Sequence, residues 1–600
     1  MCEDNIWKEA IYMFGRREKE YYEIAPKQLE EIRQFYKKLG YSDRQIKRLI
    51  SRCFGAEIRS AQNMIYRDTW TFYRQQEYRK NPIEAIGSGR FGAPLMRSAT
   101  PMMSGAVPEV MEDAVCAPMM SCAAPSMGMA LQESAVPSFP QQVEFNTAET
   151  NDVPENEEQT PLDAPQAIFS ANVNTASWSY LRMKISRSHP IDKSFVRIEE
   201  ILNSYGYELK TPKDNDVFSV TSERGDCPWN KDNELLFIGI KGRKAEESVR
   251  QNLVLLVDVS GSMNDEWILV QMSIAAIVSK LKDGDTLSVI AYSDETVTVA
   301  KNIDGGDRDA CIDAIMSIDG IGGCTYGSDG LENAYAYLKE NFGENDNNRV
   351  FIFTDGDFNF GVTSEGGLKD LIYKKRETGI YLSIVGYGEN NFKDNKMETL
   401  ARNGNGNYTF ISDPDDILDN LWEKLVSNLV TIAKDVKISV ELNPKYVSSY
   451  RLIGYDSRKL TSKEFYDTEK AVDGIGSEHN AAALIEFKRG EATKRYSSRY
   501  VVSNAKSRDD EFAFVEIHYK SPEGKDLVMT RTITAAELDS SDSKNVSAAS
   551  ALAAFGLLVK DSEYKGSADK ALISELLKKE YLPANDDAYS HFGIIKKYLG

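Results

Sequence analysis

Between residues 250 and 430, short apolar runs alternate with helical periods, and this alternation narrows the fold more than any other feature of the chain. "NLVLLVDV" runs into the helical "WILVQMSIAAIVSKL", followed by "TLSVIAYS" and the edge-like "ETVTVA". A helix near 307–318 and another in "GLENAYAYLKENF" lead to "RVFIFTDG". "GLKDLIYKK", "IYLSIVGYG", a short helix at Met397–Arg402 and "NYTFI" complete the series. A last helix opens at Asp413, with Pro414 at its first position and Asp415 and Asp416 in its first turn, where proline and acidic residues suit unpaired N–H groups. Continuous apolar strands separated by helices predict an α/β, Rossmann-like domain whose mostly parallel sheet is covered on both faces.

In such sheets ligands gather at the carboxyl ends of the strands, where strand order reverses. Asp258 ends the first strand, in "LLVDVSGSMN", and Asp355 ends "RVFIFTD". Right-handed crossovers place both on one rim. The loop "DGIGGCTYGSDG" precedes the helix that feeds the second of these strands, so it reaches the same rim. Its glycines allow close backbone approach, and Thr325 offers a hydroxyl. Asp258, Ser260, Ser262, Thr325 and Asp355 thus form a set of hard oxygen donors with only two formal charges. That chemistry predicts Mg²⁺, with Mn²⁺ or Ca²⁺ as alternatives, retaining some water. A sixth position on such an ion is open to an Asp or Glu carboxylate from a partner protein.

"DVSGSM", Thr325 and the "TDG" of Thr354–Gly356 together resemble the DxSxS, T and D pieces of the metal-ion-dependent adhesion site (MIDAS) of von Willebrand factor type A (VWA) domains. The resemblance implies strand order 3-2-1-4-5-6. It also implies hydroxyl ligands from Ser260, Ser262 and Thr325, with Asp258 and Asp355 acting directly or through water. Cys324 stands where glycine or serine is commoner. The flanks resemble bacterial YfbK-like proteins: "IFSANVNTASWSYLRM" and "VRIEEILNSYGYEL" on one side, "YRLIGYDSRKL" and "DGIGSEHNAAALIEF" on the other. The likeness spans roughly residues 166–600. Two aspartates usual in that family are Asn172 and Asn174 here.

The chain divides into a basic helical lobe (1–90), a Met-, Ala- and Pro-rich linker read as disordered (91–165), a β-rich segment (166–249), the VWA region (250–430), a β-rich C-terminal domain (431–535) and C-terminal helices (536–600). The lobe carries an excess of about five positive charges, which suits docking on an acidic surface, its own or a partner's. In "DVKISVEL", Val436, Ile438, Val440 and Leu442 face one way and Lys437, Ser439 and Glu441 the other, the pattern of a half-buried strand. "EFAFVEIHYKSPEGKDLVMTRTI" reads as a hairpin turning at Pro522–Gly524. Strand-rich segments on both sides of the VWA region predict one β-sandwich into which that region is inserted. Helices near 546–560 and 568–580 close the chain.

The formal net charge of -20 argues against nucleic acid as a partner and favours cations. Seven scattered cysteines show no CxxC and no paired spacing, so no disulfide framework is expected. No apolar run reaches membrane-spanning length; "AASALAAFGLLV" reads as a buried helix. With no signal peptide in "MCEDNIWKEA" the expectation is a cytoplasmic protein, or the cell surface if a leader has been removed. The four histidines lack HExxH or triad spacing, and neither a GxSxG elbow nor a P-loop occurs. "DGDFNFGVTSEG" fails as a calcium loop at Phe360 and Gly366. No nucleophile–base pair emerges, so the reading is a non-enzymatic, cation-dependent protein-binding module. The alternatives are an assembly factor for an AAA-type ATPase and a structural protein with a relict metal site.

Overall fold

The computed structural model describes residues 30–50, 154–318, 328–356, 372–421, 430–492, 510–578 and 590–600, apart from short breaks at 172–173, 214, 246–248, 294, 373, 377, 389–393, 419, 469, 471 and 541–542. Three strands come first: β1 (Gln166–Ser170), β2 (Phe218–Asp226) and β3 (Asn233–Gly242). The alternating region supplies β4 (Gln251–Asp258), β5 (Thr286–Tyr292), β6 (Thr296–Asp304), β7 (Asn347–Thr354), β8 (Ile380–Gly386) and β9 (Tyr408–Phe410). Beyond it lie β10 (Thr431–Leu442), β11 (Val447–Ile453), β12 (Ile475–Gly476), β13 (Asn480–Arg489), β14 (Glu511–Lys520) and β15 (Asp526–Thr534).

The central sheet runs β6-β5-β4-β7-β8-β9, which is the expected 3-2-1-4-5-6 order. Its pairs are parallel except the edge pair β5–β6. Along β4, Val254 and Leu256 enter one core while Leu253, Leu255 and Val257 enter the core on the opposite face. Burial of each such side chain contributes about 1.5–3 kcal/mol, which is why a run with no polar break becomes the middle of a two-sided sheet.

The flanking strands form two facing sheets, β1-β10-β14-β15 with β12 beside β10, and β11-β13-β3-β2. Each mixes strands from both sides of the central region. Gln166 pairs with Glu441 across β1–β10, and Leu236 with Ile485 across β3–β13. Their inner faces share one core that holds Ile238, Val436, Ile438, Val440 and Ile485. The VWA region is therefore inserted in a β-sandwich. The hairpin β14–β15 turns at Ser521–Lys525, with Gly524 in the left-handed region at φ +88°.

Three expectations need correction. The outward face of β10 is solvated only at its end, because Lys437 and Ser439 are also buried while Glu441 is exposed. The helix Ser462–Tyr466 packs on that strand, and the Lys437 ammonium donates to the Asp467 carbonyl. Residues 154–165, assigned to a disordered linker, are held in place: Gln159 bridges to Tyr450, and the Asn156 amide donates to the Gly454 carbonyl at 2.7 Å. The C-terminal part has a further helix, His591–Leu599, beside Lys544–Lys560 and Lys570–Leu576. Lys544–Lys560 is almost wholly buried, and Gly556 with its alanines lets it approach Ile198 and Ile201 of the helix Ile198–Ser204.

Of the basic lobe, two helical stretches are described, 30–38 and 43–50. Ser42 caps the second: its hydroxyl accepts the Gln45 N–H at 3.4 Å and Gln45 Oε1 accepts the Ser42 N–H at 3.0 Å. Phe35, Tyr36, Leu39, Tyr41, Ile46 and Leu49 are buried against the VWA helices. Arg48 reaches Asp309 and Asp313 on the helix Arg308–Ser317, so the described stretch 30–50 meets acidic residues of its own chain. The aromatic-rich stretch "YRDTWTFYRQQEYRK" lies outside the described residues, as does the Met-rich 91–153.

Candidate functional site: a hydroxyl-rich rim on the VWA sheet

Asp258 and Asp355 end adjacent parallel strands, and both are buried, at 0 % and 1 % exposure. Asp258 Oδ1 accepts the Ser260 N–H at 2.9 Å, and Oδ2 accepts the Thr354 hydroxyl at 3.2 Å. Thr354 Oγ1 in turn accepts the Gly356 N–H at 3.1 Å. One carboxylate thus ties the loop after β4 to the end of β7. Gly356 adopts φ +99°, which lets the chain turn directly after Asp355. A Cβ at Gly388 would stand 3.6 Å from the Asp355 Cβ, so the loop after β8 also reaches this rim.

The Ser260 and Ser262 hydroxyls stand 3.2 Å apart, Ser260 buried and Ser262 exposed. Oxygens at adjacent corners of an octahedron with bonds of about 2.1 Å are about 3.0 Å apart, so this pair matches the spacing a magnesium ion asks of neighbouring ligands. Thr325 lies outside the described residues. The helix that follows it, Ser328–Glu340, is seated on the same rim: a Cβ at Gly330 would be 3.0 Å from Leu256 Cδ1 and 3.5 Å from Tyr292 Cβ.

Electrostatics set the site apart. Burial pushes the Asp258 carboxyl up to about 6; the Ser260 and Thr354 bonds oppose the rise and the Asp355 charge adds to it. Among the described residues no lysine or arginine lies within ion-pairing distance of Asp258. No group of three His, Cys, Asp or Glu able to hold a metal occurs among the described residues. What gathers here is instead two carboxylates and a hydroxyl pair, all oxygen donors, and their chemistry fits a hard divalent cation.

Two hydroxyl-bearing residues of this rim were not assigned to the ligand set, although Thr354 belongs to the quoted "TDG". Thr354 and Tyr292 flank Asp258 on the neighbouring strands, Tyr292 in register with it across β4–β5. The signal was available as hydroxyl-bearing residues at the ends of two strands, but a tyrosine closing an apolar run reads as core. Tyr292 is indeed fully buried, with its hydroxyl against the Asp258 carboxylate and Thr354.

Elsewhere, several buried carboxylates are paired with guanidinium groups, although burial and the charges of Asp456 and Glu200 push Glu199 up to about 7. Arg458, fully buried, reaches both Asp473 and Glu398, and Arg197 approaches Glu398 at 3.7 Å and Glu200 at 3.6 Å. Burial raises the Glu398 carboxyl, but Arg458 and Arg197 outweigh it and hold the group at about 2. Arg182 grips Asp413 and Asp416 at 2.7 and 2.6 Å, and Asp416 also takes the Ser179 hydroxyl at 2.7 Å. Asp413 caps the helix that Pro414 opens. These contacts bind the VWA region to both flanks. Asn174 accepts the Tyr408 N–H at 3.3 Å, a structural part that an amide fills; Asn172 lies outside the described residues. The Ser204 hydroxyl is 2.6 Å from His591 Nε2 and 2.8 Å from the Ile201 carbonyl oxygen. The described cysteines, Cys227 and Cys311, are buried free thiols. No described helix is long and apolar enough to cross a membrane.

The fold and rim define a VWA-domain protein, and a family model described as "von Willebrand factor type A domain" matches residues 252–423. One described as "von Willebrand factor" matches 144–237, and one described as "Uncharacterized protein YfbK, C-terminal" matches 427–593. The chain is 32% identical over 415 residues to "Uncharacterized protein YfbK" of Escherichia coli (strain K12), covering 67% of this chain and 72% of that protein. It belongs to the YfbK family. Among solved structures it is similar to a von Willebrand factor type A protein from Catenulispora acidiphila (13% identity, 56% of this chain and 80% of that one, TM-score 0.35). A second is the ArnB paralog VWA2 from Sulfolobus acidocaldarius (13% identity, 64% and 98%, TM-score 0.30).

Proposed function

We propose that this protein is a divalent-cation-dependent binding module whose MIDAS rim captures an Asp or Glu side chain of a partner protein. Asp258, Ser260, Ser262, Thr325 and Asp355 would hold Mg²⁺. When bound, the ion supplies a Lewis-acidic position open to an outside carboxylate. The chain's own residues do the rest. Burial and the Ser260 and Thr354 bonds hold Asp258 in one orientation. With two formal charges in the set, the ion keeps spare positive character for the incoming acid.

The observation that carries this reading is Asp258: a fully buried carboxylate whose charged neighbour is another carboxylate, beside two hydroxyls at ligand spacing. A buried anion of this kind is costly unless a cation answers it. The test is affinity capture from the native cell in Mg²⁺ and in EDTA, with Asp258→Ala as control. Specific proteins retained by the wild type in Mg²⁺, and lost with EDTA or the variant, are the expected result. Identical captures in all three arms would end the proposal.

A further inference from the structure

Residues 154–165 lie along the open edge of β11, the outermost strand of its sheet. Gln159 and Tyr450 exchange main-chain bonds of 2.8 and 2.7 Å, and the Tyr450 hydroxyl donates to the Ala164 carbonyl at 2.7 Å. The start of this strap is tied at one corner. The Asn156 N–H donates to Asp456 Oδ1 at 3.0 Å, and its side-chain amide donates to the Gly454 carbonyl. Glu155 accepts the Ser562 hydroxyl at 2.7 Å. The Lys560 ammonium, at the end of the helix Lys544–Lys560, stands 2.7 Å from Asp456 and 3.5 Å from Glu155.

Against this corner sits Glu199, on the helix Ile198–Ser204 and only 2 % exposed. A Cβ on Gly454 would stand 2.8 Å from Glu199 Oε2, so the carboxyl lies against the loop that holds Asn156. Among the described residues no lysine or arginine is within ion-pairing distance of Glu199. The cations nearby have other partners. Arg197 approaches Glu200 and Glu398, Arg458 reaches Glu398 and Asp473, and Lys193 is 3.6 Å from Asp561. The Tyr455 hydroxyl donates to the Ala482 carbonyl. The acids that act on Glu199 are Asp456 from the loop and Glu200 from its own helix, and Glu155 of the strap draws on the same lysine. Three carboxylates, Glu155, Asp456 and Glu199, thus depend on the single ammonium of Lys560, whose charge state responds to all three.

Burial and the charges of Asp456 and Glu200 raise Glu199, against the pull of the Tyr455 N–H. Protonated, Glu199 leaves Lys560 to Asp456 and Glu155. Ionised, it is a buried anion that competes for that ammonium and repels the Asp456 carboxylate and the Gly454 carbonyl, the two acceptors of Asn156. We propose that Glu199 is a proton-operated latch: its protonated form holds the strap 154–165 on the edge of β11, and its ionisation frees the strap and bares that edge. A bared edge presents unpaired N–H and C=O groups that an extended segment can join.

Closure binds a proton that the opened, wetted corner gives up near the ordinary glutamate value. The strap is therefore held most firmly below about 4.3 and loosens as pH rises to about 7, where the effect levels off. The test is hydrogen exchange of the full chain at pH 5 and pH 7, read by mass spectrometry as protection factors, which remove the intrinsic pH dependence of exchange. Peptides covering 154–165 report the strap, and peptides of β10 report the fold as a whole. Protection of the wild-type strap should fall by about ten-fold or more between the two pH values while β10 is unmoved. Glu199→Gln, neutral throughout, should hold the strap equally at both. Asp456→Asn removes the repelling charge and yields Lys560 to Glu199, so its strap should respond less than that of the wild type. A wild-type strap equally protected at both pH values, or one that loosens only together with β10, overturns the latch. So does a folded Glu199→Gln that keeps the wild-type change. Should that variant fail to fold, an undiminished response in Asp456→Asn overturns it instead.

Discussion

Two groups of buried carboxylates in this molecule meet opposite fates. At the junction between the VWA region and its flanks, Glu398 and Asp473 share the fully buried Arg458, and Arg197 adds a second guanidinium near Glu398. At the rim, Asp258 is as deeply buried, but the charge that acts on it is that of Asp355. Glu398 is held at about 2 and Asp258 is pushed up to about 6. At the junction two guanidinium groups answer Glu398, although burial still raises Asp473; at the rim, burial and the charge of Asp355 both act against ionised Asp258, which is the contrast that the proposed cation would resolve.

The largest expected effect breaks the matched group. Arg458→Met leaves Glu398 and Asp473 buried without their main partner and should cost about 3–5 kcal/mol, read as a lower denaturation midpoint. The unmatched group should respond with the opposite sign. Asp258→Asn relieves repulsion in the metal-free protein and is expected to stabilise it by about 1–2 kcal/mol in EDTA, while Mg²⁺ no longer raises its melting temperature. If Asp258→Asn destabilised the metal-free protein as Arg458→Met does, the contrast between the two regions would vanish.

Acid titration sharpens the same contrast. A carboxyl raised to about 6 binds its proton earlier when folded than when unfolded, so the cost of Asp258 is present above that pH and is relieved as pH falls from about 6 towards 4. A carboxyl held at about 2 stabilises the fold above the ordinary carboxylate range, and that contribution is lost only as pH falls from about 4 through about 2. In EDTA, the advantage of Asp258→Asn over the wild type should therefore shrink as pH is lowered from about 7 to about 4.5, while the wild type keeps the contribution of Glu398 throughout that range. Parallel melting series of the three proteins check this. The smallest effect belongs to the surface: Arg48→Ala removes a partly exposed pairing with Asp309 and Asp313 and should cost roughly 0.2–1 kcal/mol, declining with salt.

The rim was legible because its residues keep fixed spacings at the ends of strands that declare themselves as apolar runs. Asp258 and Asp355 fall where periodicity stops, and the handedness of crossovers puts both on one rim, while the strand order itself was implied by the resemblance to VWA domains. The insertion could be read from strand-rich segments on either side of the alternating region. The junction could not, because Arg458, Glu398 and Arg197 lie on three separate segments and each alone looks like a solvated surface charge. Lys437 deceived for a related reason: alternation along β10 marks which residues face the sandwich core, but does not reveal the short helix that covers the other side. Tyr292 was hidden by its own ring, since an aromatic at the end of an apolar run is ordinarily only filler.

The insertion also fixes a timetable. Strand β3 leaves the ribosome with one long edge unpaired, and its mate β13 is encoded about 250 residues later, a delay of roughly 10–50 s at 5–20 residues per second. During that interval Leu235, Phe237 and Ile238 have no sheet to join on that side. The inserted VWA region, complete by residue 430 and rich in neighbouring-strand contacts, has time to fold first. Its finished body then holds the two halves of the sandwich near each other, so the guest domain acts as the scaffold on which its host is assembled.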